Sequence, residues 1–163
     1  PWGFTGEDLQ QVPLSAKQVS PSKQGVSYTY YEGSYKKMED FPQEGKKVQE
    51  GTQKNFSVKN APSADHFGYE FKSYIQIPET EIYIFKLSSD DGAQLFIDGQ
   101  LVVDNGKAHS SSNFAKGKIS LAKGYHELRI AYYENYMGED LKVTIESRNM
   151  EEQSIPDEIL FIP

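Results

Sequence analysis

The chain of 163 residues contains no cysteine. That removes a disulfide scaffold, a cysteine-ligated zinc and a thiol nucleophile together. It suits the cytosol, and equally a bacterial envelope protein large enough to need no covalent staples. Positive charge is also scarce: 17 Lys and Arg against 24 Asp and Glu leave a net charge of −7. The lysines stand singly or in pairs (Lys36-Lys37, Lys46-Lys47) among acidic residues, as on an ordinary solvated surface. With no basic stripe to neutralise phosphates, a nucleic-acid partner is not expected. The three histidines, His66, His109 and His126, are scattered without metal-ligand spacing, which argues against a zinc site. No apolar run approaches the length of a membrane span, so membrane insertion is not expected, and no secretory leader is present. The chain opens at Pro1-Trp2 without Met and closes at Pro163. This is expected of a piece excised from a longer protein whose export signal would lie upstream.

Aromatic residues are plentiful. Eleven Tyr and nine Phe favour β-structure or a binding surface over disorder, and the length suits one domain with a core of its own. Residues 1–25 are rich in Pro, Gly, Gln and Ser without a sustained period and read as a linker or extension. In it Trp2 and Phe4 can dock on a neighbouring domain or pack on their own one. Val26 to Tyr30 alternates, and Tyr31-Glu32-Gly33 closes the run. Residues 34–65 are polar, broken by Pro and Gly, and predict loops around one or two short strands, with Val48 and Phe56 as core anchors. Phe67 to Ile77 alternates strictly: Phe67, Tyr69, Phe71, Ser73, Ile75 and Ile77 share one face of a half-buried strand.

The densest pattern runs from Phe85 to Asn105. Two β-type runs, Tyr83–Ser88 and Ala93–Ile97, flank Ser89-Asp90-Asp91-Gly92 and predict a hairpin; a third run follows across Asp98-Gly99, a strong two-residue reversal. Gly106 to Lys116 reads as a polar loop containing His109. Strands are expected at Lys118–Leu121, Tyr125–Tyr133, Leu141–Glu146 and Ile159–Phe161, with Glu134 to Asp140 as a loop and Arg148 to Asp157 as polar connection. No segment sustains a helical period. About ten short strands with regularly spaced turns predict an all-β protein, a barrel or sandwich of two antiparallel sheets. The expected layout is an extension at 1–25, the β-domain at 26–148 and a C-terminal return segment at 149–163.

Several of these motifs resemble the protective-antigen domain family, named for anthrax toxin protective antigen. They are Tyr31-Glu32-Gly33, Phe67 to Ile75, Tyr83 to Gly92, Leu95 to Gly99, Leu101 to Asn105, and Leu121 to His126 with the strand that follows. The resemblance implies a jelly-roll-like β-barrel without catalytic machinery, carried as an accessory module by secreted glycosidases, adhesins, proteases and toxins. The tail Ile155 to Phe161 is similar to that following such domains in bacterial β-N-acetylhexosaminidases. The implied function is a non-catalytic carbohydrate-binding module of a secreted or surface bacterial glycoside hydrolase, located outside the cell, in the periplasm or on the surface. Its implied partners are a glycan and the catalytic domain of the same parent chain.

In the yeast adhesin branch an aspartate pair like Asp90-Asp91, joined by a cis peptide, holds a calcium ion that also ligates sugar hydroxyls. By resemblance, the metal ligands are Asp90, Asp91 and Asn135, with Glu139 and Asp140 as substitutes, and the sugar contacts are Asp90, Asp91, His109, Asn135 and Tyr136. Oxygen donors in this number suit a hard dication, and an exposed Tyr can stack on a pyranose. Two bland readings stand beside this. The aspartates can be a turn device, accepting hydrogen bonds from turn N–H groups, and the domain can be a structural module packed on a catalytic partner without binding sugar. Asp98, Asp104 and Asn105 read chiefly as turn formers, the last two near enough to edge the same pocket. His126, on a strand, reads as packing or surface. An independent enzyme ranks last: adjacent aspartates cannot flank a scissile bond at the separation required.

Overall fold

The computed structural model describes residues 12–33, 46–59, 61–62, 65–106, 114–134 and 140–163. Among the described residues eleven strands follow in order: β1 Val26–Glu32, β2 Lys46–Gln53, β3 Phe67–Ile77, β4 Glu81–Asp90, β5 Ala93–Ile97, β6 Gln100–Asn105, β7 Phe114–Leu121, β8 Gly124–Glu134, β9 Asp140–Ser147, β10 Met150–Ser154 and β11 Leu160–Phe161. They form two antiparallel sheets. The larger runs β2-β1-β3-β8-β5-β6, with β11 beside β1 on the same edge of β3; the smaller runs β10-β9-β4-β7. Neither closes on itself, so the all-β expectation is met by a sandwich of two open sheets rather than a closed barrel.

The period of two explains why the sheets face each other. In β3 the residues Phe67, Tyr69, Phe71, Ser73, Ile75 and Ile77 are all buried. Tyr83, Phe85 and Leu87 of β4 and Val143 and Ile145 of β9 meet them from the smaller sheet. The aromatic rings interlock: Tyr69 stacks on Phe71 with centroids 5.0 Å apart, and Phe56 meets Phe71 edge-on at 5.7 Å. Each such side chain removed from water contributes about 1.5–3 kcal/mol. Phe56 is the anchor expected, whereas Val48 is 47% exposed on the outermost strand of the larger sheet.

Three local expectations change, and one is met. Ser89 to Gly92 is not a hairpin: β4 pairs with β7 and β9, and β5 pairs with β6 and β8, so this turn carries the chain from one sheet to the other. The true two-residue hairpin is Asp98-Gly99, with φ of 49° and 82° as such a reversal requires. Strand β7 starts at Phe114, inside the expected loop. The polar stretch after Arg148 contains β10, an edge strand satisfied by pairing with β9 and without an apolar face to announce it. Across the open side, β6 lies directly on β7: a Cβ at Gly117 would stand 1.8 Å from the Val102 carbonyl oxygen. Glycine is what allows the two sheets to touch there.

A buried ion pair braces the far end of the β5–β6 hairpin. His126 is fully buried; its Nδ1 lies 2.7 Å from Asp98 Oδ2 and its Nε2 lies 2.8 Å from the Ala122 carbonyl oxygen. Both ring nitrogens face acceptors, so the doubly protonated ring donates from each. The Glu127 amide donates to Asp98 Oδ1 at 2.8 Å. Burial disfavours charge on the ring, but the Asp98 carboxylate and the Ala122 carbonyl outweigh it and raise the His126 pKa above its ordinary 6.5. Burial likewise opposes the Asp98 charge, yet the bonds from His126 and the Glu127 amide hold its pKa below the ordinary 3.8. The histidine's contribution is therefore complete below pH ~6.5 and lost as pH rises through its elevated folded value; the aspartate's is complete above pH ~3.8 and lost as pH falls through its depressed one. The thermal midpoint is expected to fall as pH is raised from about 6 to 9, and His126→Gln to flatten that slope. A slope unchanged in the variant would refute the brace.

Candidate functional site

The sheet crossover is built by backbone. Strand β4 ends with Asp90 opposite Asp140 of β9, and β5 begins with Ala93 opposite Tyr132 of β8. Between them the Asp91 amide donates to the Tyr133 carbonyl at 3.0 Å, and the Tyr133 amide donates to the Gly92 carbonyl at 3.0 Å. The Tyr132 hydroxyl donates to the Asp90 carbonyl, and the Ser89 hydroxyl to the Asp91 carbonyl at 2.8 Å. The Asn105 amide reaches Ser89 Oγ at 3.2 Å and the Leu87 carbonyl at 3.4 Å. The Asp90–Asp91 peptide is cis. Gly92 packs so closely that a Cβ would stand 2.3 Å from the Tyr133 ring and 2.6 Å from the Gly106 carbonyl oxygen.

Locking Tyr133 to this turn brings the next residue with it. Glu134, fully buried at the end of β8, contributes a carboxylate oxygen that lies with oxygens of Asp90 and Asp91 inside a mutual separation of 4.8 Å. Asp91 is itself only 9% exposed. Three carboxylates this close repel unless a positive charge or donors compensate. Oxygens that share one calcium ion at 2.3–2.6 Å stand at most about 4.6–5.2 Å apart, so the set fits a single hard cation.

Among the expected site residues, Asp90 and Asp91 come together; His109, Asn135, Tyr136 and Glu139 lie outside the described residues. Asp140 is exposed and faces Asp90 across the strand pair. Asp104 accepts from the Gly106 amide and the Gln94 side chain, each at 3.1 Å, and acts as a turn and strand residue. Asn105 holds Ser89, next to the aspartates. Glu134 escaped the sequence reading because it followed an alternating run as the first residue of an apparent loop; only the pairing of Glu134 with Phe67 makes it strand. A cavity of about 350 Å³ lies elsewhere, between the Asn55–Lys59 segment and β9–β10, and touches the acidic region only through Asp140. Its apolar floor and scattered polar rim show less convergent chemistry than the carboxylate cluster.

Comparison with known proteins follows the same geometry. The sequence model of the PA14 domain family matches residues 22–158. A curated relative, the anti-sigma-I factor RsgI3 of Acetivibrio thermocellus, is 23% identical over 97 residues, which is 60% of this chain and 15% of that protein. An anti-sigma factor domain-containing protein from Clostridium clariflavum superposes with a TM-score of 0.71 at 24% identity, covering 94% of this chain and 52% of that one. A PA14 sugar-binding domain from an RTX adhesin superposes with a TM-score of 0.68 at 14% identity, covering 87% of this chain and all of that one (100%). The chain thus spans about a seventh of the curated relative and half of the clostridial chain. These findings correct the label read from the motifs: the family is the PA14 domain family in place of the protective-antigen name. The similar proteins include anti-sigma factors, adhesin domains and an antifreeze protein, which corrects the expected β-N-acetylhexosaminidase parent.

Gly92→Ala is expected to destabilise the fold by about 1–3 kcal/mol through overpacking against Tyr133 and Gly106, measured by urea unfolding. A neutral outcome would show that the crossover tolerates a looser seat.

Proposed function

This chain belongs to the PA14 domain family, and from that premise we propose that it is a non-catalytic carbohydrate-binding module holding a sugar at the Asp90-Asp91 turn. The observation that carries the reading is the convergence of Asp90, Asp91 and Glu134 at the sheet crossover. Asp90, Asp91 and Glu134 would hold a calcium ion there. Bound calcium supplies positive charge and coordination positions that the vicinal hydroxyls of a sugar can fill. The chain's own part is rigidity. Tyr132, Tyr133, Ser89 and Asn105 fix the backbone on which the carboxylates stand, so little ordering is left to the moment of binding. His109, Asn135 and Tyr136 remain candidates for the rim. The RTX adhesin neighbour, described as a sugar-binding domain, supports a binding module over an enzyme, and with it a place outside the cell or on its surface.

The anti-sigma matches favour a second reading on top of the first, in which the module is the ligand-receiving part of an anti-sigma-type protein. The alternative of a module that only packs on a partner domain calls on Trp2 and Phe4, both outside the described residues.

Calcium titration by calorimetry on the chain, beside Asp90→Asn/Asp91→Asn and Glu134→Gln, tests the proposal, with a glycan array read with and without calcium. The expected result is one bound calcium, abolished in the double variant and weakened about tenfold or more in Glu134→Gln, since removing one charged ligand costs more than ~1.4 kcal/mol. Glycan signals should require the calcium. Silence of calcium and glycans alike, with variants altered only in stability, would make the carboxylates a folding device.

A further inference from the structure

A second group of side chains stands beside this turn, on the outward face of the smaller sheet. Along β4 the inward residues are Tyr83, Phe85, Leu87 and Ser89; Ile84, Lys86, Ser88 and Asp90 point the other way. Register places Phe114 of β7 opposite Ser88, and Lys116 opposite Lys86. Phe114 is 55% exposed, the one aromatic among the exposed large hydrophobic residues described. Lys86 Nζ lies 4.7 Å and Lys116 Nζ 5.9 Å from its ring centroid. Lys142 of β9 flanks Ser88 on the opposite side from Phe114.

The two ammonium groups are attracted to the ring face, but the arrangement also carries costs. Like charges directly opposite on paired strands are destabilising, and an exposed Phe forfeits most of the gain from burial. What the face does offer is a place for a carboxylate, and one is already there. Glu152 Oε2 lies 3.6 Å from Lys86 Nζ and accepts from the Thr144 hydroxyl at 3.0 Å. Its pKa is lowered, first by that hydroxyl and further by the charges of Lys86 and Lys116. The acids on this face are Glu152, Glu146 opposite Ile84 and, at the turn end, Asp90 with Asp140 opposite it. Phe114 is left more than half open beside the two ammonium groups.

We propose that Phe114, Lys86 and Lys116 form a subsite for an acidic sugar unit, uronate or sulfated, belonging to the glycan held at the Asp90-Asp91 turn. The inference rests on the glycan-binding reading and adds its selectivity. The apolar face of the pyranose lies on the Phe114 ring, and the carboxylate or sulfate meets the ammonium groups. From Ser88, opposite Phe114, to Asp90 is two residues along one strand, roughly 7 Å, which makes one continuous ligand path.

The test is calorimetry on the full chain with three oligosaccharides of equal length: hyaluronan for the carboxylate, carrageenan for the sulfate and a cello-oligosaccharide as the neutral control. An acidic oligosaccharide is expected to bind about tenfold tighter than the neutral one, the worth of one or two charge-assisted contacts, with the preference shrinking as salt is raised. Lys86→Gln/Lys116→Gln should erase the preference, Phe114→Ala should weaken every ligand, and Glu152→Gln should strengthen the acidic ones alone. Thermal unfolding confirms that these surface variants fold. Whichever acidic probe responds identifies the anion. Equal binding of acidic and neutral glycans, or a preference that survives in the lysine variant, overturns the inference. If neutral binding is then still lost in Asp90→Asn/Asp91→Asn, the glycan reading stands without it. No binding of any probe overturns both.

Discussion

Two hydrogen bonds between Tyr133 and the Asp91-Gly92 backbone hold the rest of the arrangement together. The chain must leave one sheet and enter the other at this point, and an unpaired crossover would strand polar backbone groups inside the sandwich. Pairing with the end of β8 satisfies those groups and fixes the start of β5 opposite Tyr132. Register along β5 and β6 follows from that seat. So does the position of Glu134, whose carboxylate arrives beside the aspartates because its neighbour is clamped. Packing and site chemistry are therefore the same constraint seen at adjacent residues, and a change at Gly92 is felt by both.

The fold uses carboxylates in two ways. At the Asp98-Gly99 hairpin an aspartate meets a buried imidazole and a backbone amide, and the result is a closed pair that braces three strands. At the Asp90-Asp91 turn acidic groups are gathered together with oxygens in ligand-like proximity. The first consumes charge within the protein. The second concentrates it at one turn, on a chain that is already acidic overall, where positive charge is the electrostatic complement.

Strand β3 was legible from Phe67 to Ile77 because a period of two survives when one face is buried throughout, and the Asp98-Gly99 reversal was legible because turn chemistry is local. The aspartate knot was read as a second hairpin since nothing local distinguishes a reversal from a crossover; that depends on which strands β4 and β5 find, many residues away. Strand β10 hid for a different reason. Its sequence, Met150-Glu151-Glu152-Gln153-Ser154, has no apolar alternation, and edge pairing alone makes it a strand. The site was half legible. Asp90 and Asp91 are adjacent in sequence, whereas Glu134 joins them through β8, and the partnership of Asp98 with His126 spans 28 residues. The lysine pair on β4 and β7 was likewise invisible, being separated by 30 positions and united only by register.

The neighbourhood of β11 and the start of β1 has a consequence for how the molecule can be mounted. Gly25 donates to Leu160 at 2.9 Å and Ile162 to Lys23 at 2.8 Å, so the incoming and outgoing segments run side by side. They do so next to Tyr74 of β3, where Phe161 pairs, while the carboxylate turn lies by Phe67, where Glu134 pairs. Seven residues of extended strand separate the two places, roughly 23 Å. Anything attached through residues 23 and 162 is therefore held at one pole with the acidic turn displayed at the other. Further up the incoming segment Leu14 and Lys17 are bonded to Ser120, Ala122 and Tyr125, so a pull on that side is shared between the short ladder and the β7–β8 turn, much as a clasp with two catches bears a pendant.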